Sequence, residues 1–445
     1  MSSETPAWGI EPVPERLRVL GFLDTTLLWG NLSISLLVIV LGAFLVPYLS
    51  LRDALLAILV GAFVGSLLLG LAGMIGADGR VPGMVLLRAP FGHRGSYAPT
   101  LVNVVQNLGW STFELLIIST AAAALSNRVF GFEARWLWAL IFGAISVGLG
   151  LLGPIGFVRR YVKKFAAWAV LISIGYLTWW VIDRSDLHAF WSAPAQGGLT
   201  FGQGVDLVIG SVISWTPLAA DYTRFTRDRR TAFWGTGLGY FVPTLWCFGI
   251  GSLLVLAKNI STPEEIPAAV LAGSAGVLAL LALTVDESDE AFADIYSTAV
   301  SVQNVLPRVS QRLLIVLVGA VATIGAIVID LRNYETFLFL LGSVFVPLFG
   351  VLLADWLVAG AHYSREEIFS APAVRLEMIF AWLAGFCLYQ WLSPQGPSWW
   401  TDAVSHLSPG HSAYTASLPS FAAAFALGGL GALWHRRGRT AFARA

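Results

Sequence analysis

Long apolar stretches separated by short polar connections make up almost the whole chain. A helix that crosses a lipid bilayer needs about 20 consecutive, mainly apolar residues, and twelve stretches of roughly that kind recur here. They lie at residues 23–46, 52–76, 98–126, 134–156, 162–182, 204–223, 232–257, 276–304, 312–329, 334–357, 377–393 and 418–435. The pattern predicts an all-α polytopic membrane protein with 12 transmembrane helices.

The eighth stretch contains the acidic sequence TVDESDEAFADIYS, at residues 284–297. Its carboxylates are Asp286, Glu287, Asp289, Glu290 and Asp294. They form either a water-exposed loop between two short spans or part of one helix that runs through the membrane. The two alternatives give opposite orientations to every later segment.

The distribution of lysine and arginine favours a single helix. With twelve spans and both termini in the cytosol, 21 of the 27 Lys and Arg residues lie on the cytosolic side and 6 outside, as the positive-inside rule requires. An acidic loop would move most of the later Lys and Arg residues outside. We therefore expect a multi-pass protein of the inner (cytoplasmic) membrane, with both termini cytosolic and the carboxylates at membrane depth.

Carboxylates at membrane depth are costly. One charged residue at the bilayer centre costs about 2.5–3.5 kcal/mol even on a lenient scale, and such residues normally face water, a counter-ion or each other. Asp286, Glu290 and Asp294 fall on one helix face, and Asp289 lies beside it. The sequence therefore predicts that these acids hold a cation, carry protons or line a wet cavity.

Composition excludes several other classes of protein. Charged residues are 12% of the 445 residues, against about 25% in soluble domains, and a net charge of zero gives no indication of nucleic-acid binding. Cys247 and Cys387 lie in separate apolar stretches, so neither a disulfide nor a metal site is predicted from them. Residues 1–22 lack the basic start and apolar core of a signal peptide and are expected to form a cytosolic tail. No membrane-enzyme motif is present, so we do not expect an enzyme.

Two predicted spans contain residues that weaken a helix at mid-depth. They are Gly30, Asn31 and Ser33 in the first span, and Gly210, Ser214 and Pro217 in the sixth. Gly, Ser and Pro are common in membrane helices. Interrupted segments at corresponding positions of two halves are nevertheless the best sequence indication of a transporter binding site, and spans one and six correspond if the chain has two five-helix halves.

The third span carries polar residues at helical spacing. Gln106, Trp110 and Glu114 recur every four residues on one face. An amide and an indole one turn apart suit a flat, nitrogen-rich ring, because the amide pairs with the ring edge and the indole stacks on its face. Trp215 is placed to cover the other face. The alternatives are that Trp110 packs against lipid, that Gln106 joins helices, and that Glu114 is structural and not a proton carrier.

Three longer segments read FGHRGSYAPTLVNVVQNLGW, ISWTPLAADYTRF and DIYSTAVSVQNVLPR. They resemble the nucleobase:cation symporter family, the purine–cytosine permease-like proteins, and most of all its cytosine and hydroxymethylpyrimidine permease branch. The resemblance covers about residues 12–357. It implies a LeuT-like fold: a core at 23–357 made of two inverted five-helix repeats, about 23–182 and 204–357, then two additional helices within 377–435 and a cytosolic tail at 436–445.

The resemblance also implies roles for individual residues. Gln106 and Trp110 match the substrate-binding amide and indole of the third helix, and Ser214 and Trp215 match the break of the sixth. Asp294 matches a residue that faces the ligand. At the break of the first helix, Asn31 is expected to contact the substrate, and Gly30 and Ser33 to contribute to the cation site.

One departure from the family concerns the cation. Relatives usually supply two small hydroxyl residues from the eighth helix to sodium, whereas Asp289 and Glu290 stand there in this chain. Either a carboxylate binds Na+ directly or the site carries a proton, and a buried carboxylate is a natural proton carrier. The coupling ion is thus H+ or Na+, with H+ preferred, and no cofactor or obligate protein partner is expected.

The leading hypothesis is a secondary active transporter that takes up a nucleobase-like ring, such as cytosine, hydroxymethylpyrimidine or a purine, together with a cation by alternating access. An amino-acid or other small-solute symporter of the same fold is the alternative. It would favour a charge-matched pocket over paired indoles. A polytopic membrane enzyme or receptor is a remote alternative.

Overall fold

The computed structural model describes residues 9–157, 167–258, 276–329, 334–408 and 414–442, together with the single positions 260, 265, 270 and 271. In this part of the chain every regular element is helical. A short 3-10 helix spans Glu15–Leu17. The α-helices are α1 (Phe22–Asn31), α2 (Leu36–Gly42), α3 (Leu51–Gly79), α4 (Gly83–Leu86), α5 (Arg88–Phe91), α6 (Tyr97–Phe130), α7 (Arg135–Phe157), α8 (Ala167–Asp183), α9 (Leu187–Ser192), α10 (Phe201–Ile213), α11 (Thr216–Thr223), α12 (Arg229–Lys258), α13 (Gly276–Asp286), α14 (Ser288–Val305), α15 (Gln311–Val328), α16 (Tyr334–Val358), α17 (Arg365–Phe369), α18 (Leu376–Leu392), α19 (Ser398–Ser405) and α20 (Ser417–Phe442).

Each of the twelve predicted spans coincides, over its described residues, with one helix or with a pair of helices; residues 162–166 of the fifth span lie outside the described residues. Within the described residues, 7 helices are long and apolar enough to cross a membrane, and the pair α1–α2, bent by 63°, makes up to 8. The other four predicted spans coincide with the shorter apolar helices α8 and α18 and with the interrupted pairs α10–α11 and α13–α14. The number of crossings, the boundaries of the two repeats and the topology stay predictions.

Among the described residues, three predicted spans are divided between two separate helices, two of them where the sequence predicted it. The first breaks between Asn31 and Ser35, whose hydroxyl caps α2 by accepting from the N–H groups of Leu37 at 2.9 Å and Val38 at 3.3 Å. The second breaks at Ser214 and Trp215, and Pro217 stands in the first turn of α11, where its missing N–H costs nothing. The third break, at Glu287 in the acidic sequence, was not predicted.

The helices around these breaks position the polar residues of the interior. The α14 helix packs against α6, α7 and α15, and the α1–α2 pair packs against α12. Gly42 and Gly251 allow the closest approach within the second group, because a Cβ on Gly42 would meet the nitrogen of Ser252 at 2.8 Å. The hydroxyl of Ser252 also donates to the carbonyl of Gly42 at 3.0 Å. Small residues at such crossings let two helix backbones touch.

Replacing Gly251 by valine should therefore destabilise the protein. A Cβ there would lie 2.9 Å from the carbonyl carbon of Ile39 and 3.2 Å from the Cα of Gly42, so α2 would have to move away from α12. We expect a loss of about 1–3 kcal/mol, as for overpacked cores, visible as a lower melting temperature of the purified protein in detergent. Gly148→Val is the control, since a Cβ at Gly148 meets nothing within 4 Å; equal melting temperatures for the two variants would contradict the packing described here.

Candidate functional site

The side chain of Gln106 joins α6 to the break between α10 and α11. Its Nε2 donates to the backbone carbonyl of Ser214 at 2.9 Å and to Oδ1 of Asn103 at 3.0 Å. The break explains the first bond, because the N–H of Leu218 pairs with the carbonyl of Trp215 and leaves the carbonyl of Ser214 to another donor. Oε1 of Gln106 is buried and has no hydrogen-bond partner among the described residues. One amide thus satisfies freed backbone with its nitrogen and keeps a free acceptor.

The two indoles of the predicted site lie in different aromatic contacts. Trp215 packs against Trp29 of α1, with ring centroids 6.0 Å apart and planes at 84°, and against Tyr240 of α12 at 6.1 Å. Trp110 meets Phe337 of α16 edge to face at 5.7 Å. Both indoles are almost fully buried. The sequence did not indicate Trp29, although it lies beside Gly30 at the first break.

Helices α6 and α14 run antiparallel, and their register places Asp294 with respect to Trp110. Nδ2 of Asn103 donates to the hydroxyl of Ser301 at 2.9 Å, and three turns further along α6 the carboxyl of Glu114 lies within hydrogen-bonding reach of Glu290. Between these two contacts, Asp294 comes level with Trp110 on the facing helix. Its carboxyl is buried, with 3% of the residue exposed.

Three carboxylates meet where α13 gives way to α14. Glu114, Glu287 and Glu290 each offer an oxygen, and these oxygens lie within 4.8 Å of one another. Glu287 also accepts from the hydroxyl of Ser35 at 2.7 Å and from the N–H groups of Leu36 at 2.8 Å and Leu37 at 3.2 Å. Three such donors at a helix N-terminus stabilise an ionised carboxylate. The sequence singled out Glu114 and Glu287 as buried acids but did not predict this cluster.

The residues predicted for the cation site separate into two groups. Nδ2 of Asn31 donates to the carboxyl of Asp289 on α14, and Glu290 belongs to the carboxylate cluster. Ser33 turns instead towards α12, where its hydroxyl donates to the carbonyl of Tyr240 at 3.0 Å and lies 2.9 Å from that of Thr244. Gly30 also lies against α12, since a Cβ on it would be 3.4 Å from the carbonyl oxygen of Gly239. The side chain of Asp286 lies outside the described residues.

The three carboxyl groups of Glu114, Glu287 and Glu290 can lie this close together only with protons or positive charge among them. None of the ion pairs formed by the described residues involves Glu114, Glu287 or Glu290. Two carboxylates that share a dry site cannot both stay ionised without a proton or a cation between them. Within the cluster, Glu287 is the carboxyl that accepts from the backbone N–H groups of α2.

Comparisons with known proteins agree on the family of this chain. Residues 12–371 match the model of a family described as permease for cytosine/purines, uracil, thiamine, allantoin. The cytosine permease of Escherichia coli (strain K12) is 24% identical over 386 residues, which are 86% of this chain and 88% of the relative. The hydantoin permease of Microbacterium maritypicum is 25% identical over 385 residues, or 80% of this chain and 77% of the relative.

The fold is also that of a solved transporter. Mhp1, a nucleobase-cation-symport-1 family transporter in a closed conformation with bromovinylhydantoin bound, superposes with a TM-score of 0.80 at 18% identity, covering 97% of this chain and 96% of Mhp1. Its inward-facing conformation gives a TM-score of 0.77 at 17% identity, covering 96% and 94%. The expected LeuT-like all-α fold is therefore confirmed, and so is a transporter in place of an enzyme. The chain is a nucleobase-type membrane transporter, and it belongs to the family of permeases for cytosine/purines, uracil, thiamine and allantoin.

Proposed function

We propose that the chain is a cation-coupled symporter that takes up an uncharged nucleobase-like ring, such as cytosine, hydroxymethylpyrimidine or a purine, by alternating access. The observation that carries the proposal is the amide of Gln106. It is fixed by the carbonyl of Ser214 at 2.9 Å and presents a buried, unused acceptor. A ring N–H would satisfy that acceptor, which otherwise costs free energy in a buried site.

The neighbouring side chains suit the rest of such a ring. Trp110 lies one turn from Gln106 on α6, and Trp215 follows Ser214 at the break, so that each can offer an indole face or edge to a flat heterocycle. Asp294, level with Trp110, can pair with a second polar atom of the ring, and Asn31 lies at the break of the first span beside Trp29. Relatives named as cytosine and hydantoin permeases are in keeping with a ring that carries neighbouring N–H and carbonyl groups.

The start of α2 argues against the amino-acid alternative. In transporters with broken helices, the N-terminus of a half-helix can bind the carboxylate of the substrate. Here the N–H groups of Leu36, Leu37 and Val38 already bond to Glu287 and Ser35. A substrate carboxylate would have to displace a carboxylate of the protein itself, which favours an uncharged ring.

We further propose that the coupling ion is a proton held by the acids of α14. Glu290 and Asp289 were assigned to the cation site, and Glu114 joins them because it reaches both Glu290 and Glu287. Glu287 is then the fixed anion that holds α2. The cluster lies one helical turn beyond Trp110 along α6, so filling the cation site and filling the ring site bias the same helices. This is the differential binding that alternating access requires.

The proposal includes a location and a topology. The uneven distribution of the 27 Lys and Arg residues supports an inner (cytoplasmic) membrane protein with both termini in the cytosol. Its partners are then the small-molecule substrate and the lipid bilayer. The end of the molecule that carries the N-terminal segment, here called the N-terminal face, is the cytosolic end in this proposal.

Gln106→Ala and Trp110→Ala should each impair uptake of the ring. Loss of a buried hydrogen bond or of a stacking face removes about 1–3 kcal/mol of binding, so we expect KM to rise by about fivefold to 150-fold. The measurement is saturable uptake of radiolabelled cytosine, hydroxymethylpyrimidine and an amino acid by cells that express the chain. Trp434→Ala is the matched control, since Trp434 is 72% exposed. Unchanged saturable uptake in both site variants would contradict this pocket, and uptake of the amino acid alone would contradict the ring.

Uptake should not depend on sodium, and it should require Glu114. In proteoliposomes without Na+, inward transport of the ring should acidify the lumen, and a protonophore should abolish accumulation. Glu114→Gln keeps the shape of the side chain but cannot release a proton, so it should lose acidification while still exchanging labelled for unlabelled ring. Glu133→Gln, at an exposed acid just beyond α6, is the control. Accumulation that is lost only when sodium is removed would contradict proton coupling.

A further inference from the structure

A continuous column of side chains leads from the candidate site to the N-terminal face. Trp215 contacts Trp29 at 6.0 Å, and Trp29 contacts Tyr222 of α11 at 5.9 Å. Tyr222 in turn contacts Tyr296 of α14 at 6.0 Å and donates its hydroxyl to the carbonyl of Ala293 at 3.1 Å. The column thus fills the space between α11 and α14 below the proposed ring site.

Arg224 closes the column at its end. Its guanidinium donates to the hydroxyl of Tyr296 at 3.0 Å, to the carbonyl of Gly9 at 3.0 Å and to the carbonyl of Asp221 at 3.3 Å. The residue is fully buried, with 0% exposed, and the central carbon of its guanidinium lies 4.9 Å from the ring centre of Phe225. These contacts connect the N-terminal segment, the end of α11 and the middle of α14.

The bonds to Arg224 are suited to being broken and reformed. All three acceptors are uncharged, and the ion pairs of the described residues do not include Arg224. A buried guanidinium without a bonded carboxylate gains much less from its site than one in a close ion pair, while in water it would recover its hydration. The buried carboxyl of Asp221, which accepts from the N–H of Gly83 at 2.9 Å, lies near enough to attract the guanidinium without forming an ion pair with it. The closed arrangement is therefore held by uncharged acceptors and one nearby carboxyl, and no direct ion pair has to break when it opens.

The N-terminal segment is fastened to the same place by its backbone. The N–H of Leu20 donates to the carbonyl of Phe225 at 3.1 Å, and the N–H of Arg227 donates to the carbonyl of Leu20 at 3.0 Å. The guanidinium of Arg18 donates to the carbonyl of Thr226 at 3.0 Å, and the N–H of Val13 donates to the carbonyl of Arg80 at 2.9 Å. Residues 9–20 therefore lie across the ends of α3 and α11.

We propose that Arg224 is the latch of a gate at the N-terminal face, formed with Tyr296 and the N-terminal segment. For the ring to leave towards this face, α11 must move away from α14, and Arg224 must first release the hydroxyl of Tyr296 and the carbonyl of Gly9. Tyr222 and Tyr296 then separate and open the column. The inference rests on the proposed transport function, but the gate can be measured without any substrate.

The test is the accessibility of a cysteine placed behind the latch. Ser297 lies one turn beyond Asp294 towards the N-terminal face and is fully buried. In a protein in which Cys247 and Cys387 are replaced by alanine and Ser297 by cysteine, a membrane-impermeant thiol reagent is added to each face in turn. Arg224→Gln should raise the rate of modification from the N-terminal face by about fivefold or more, because the latch no longer bridges its partners.

Two variants make the test specific. Arg230→Gln removes an exposed arginine at the start of α12 and should leave the rate unchanged. Tyr296→Phe removes only the hydroxyl that accepts from Arg224 and should give an intermediate rate even if Arg224→Gln fails to fold. Rates in Arg224→Gln and Tyr296→Phe equal to that of the control Arg230→Gln, which keeps the latch, would overturn the inference, as would faster modification from the opposite face only. Absence of ring uptake by the otherwise unchanged protein would instead overturn the proposed function and leave the modification rates to decide on the gate.

Discussion

The structure of the interior depends on the hydrogen bonds between the carboxylate of Glu287 and the start of α2. The breaks of the first and sixth spans each free backbone groups that cannot be left without partners away from water. The hydroxyl of Ser35 and the N–H groups of Leu36 and Leu37 bond to this one side chain. Helix α2 can therefore begin in the middle of the protein because the carboxylate of Glu287, between α13 and α14, accepts from its first N–H groups.

At the second break a side chain also pairs with freed backbone, but here the side chain is the donor and the backbone the acceptor. At Ser214 a carbonyl is freed, and the amide of Gln106 supplies the donor. In both cases a polar side chain of a neighbouring helix bonds to the freed backbone: Glu287 at the first break and Gln106 at the second. The polar residues of the interior thus serve the backbone first, and what remains of their hydrogen-bonding capacity, such as Oε1 of Gln106, is left for a ligand.

The sequence predicted the helices well and the contacts between them poorly, for physical reasons. Apolar length and the Lys and Arg distribution define spans, so each predicted span coincides with a helix or helix pair over its described residues. Two breaks were predicted, at residues 30–33 and 214–217, because Gly, Ser and Pro weaken a helix locally. Nothing local distinguishes the face of α1 that meets α14 from the face that meets α12. Ser33 was therefore grouped with Asp289 although its hydroxyl bonds to Tyr240. The third break carries no Gly or Pro, and Glu287 itself keeps a helical backbone conformation there, so no local residue type marked it.

The fastening of the N-terminal segment has a consequence for biogenesis. Residues 9–20 are synthesised well before the carbonyls and the N–H group that they bind at Phe225, Thr226 and Arg227. The segment must wait undocked while the first half of the chain inserts. The N-terminal face is therefore completed only after residues 225–227 have been made, so a bulky fusion ahead of residues 9–20 would hinder their docking and not the insertion of the helices that precede residue 225.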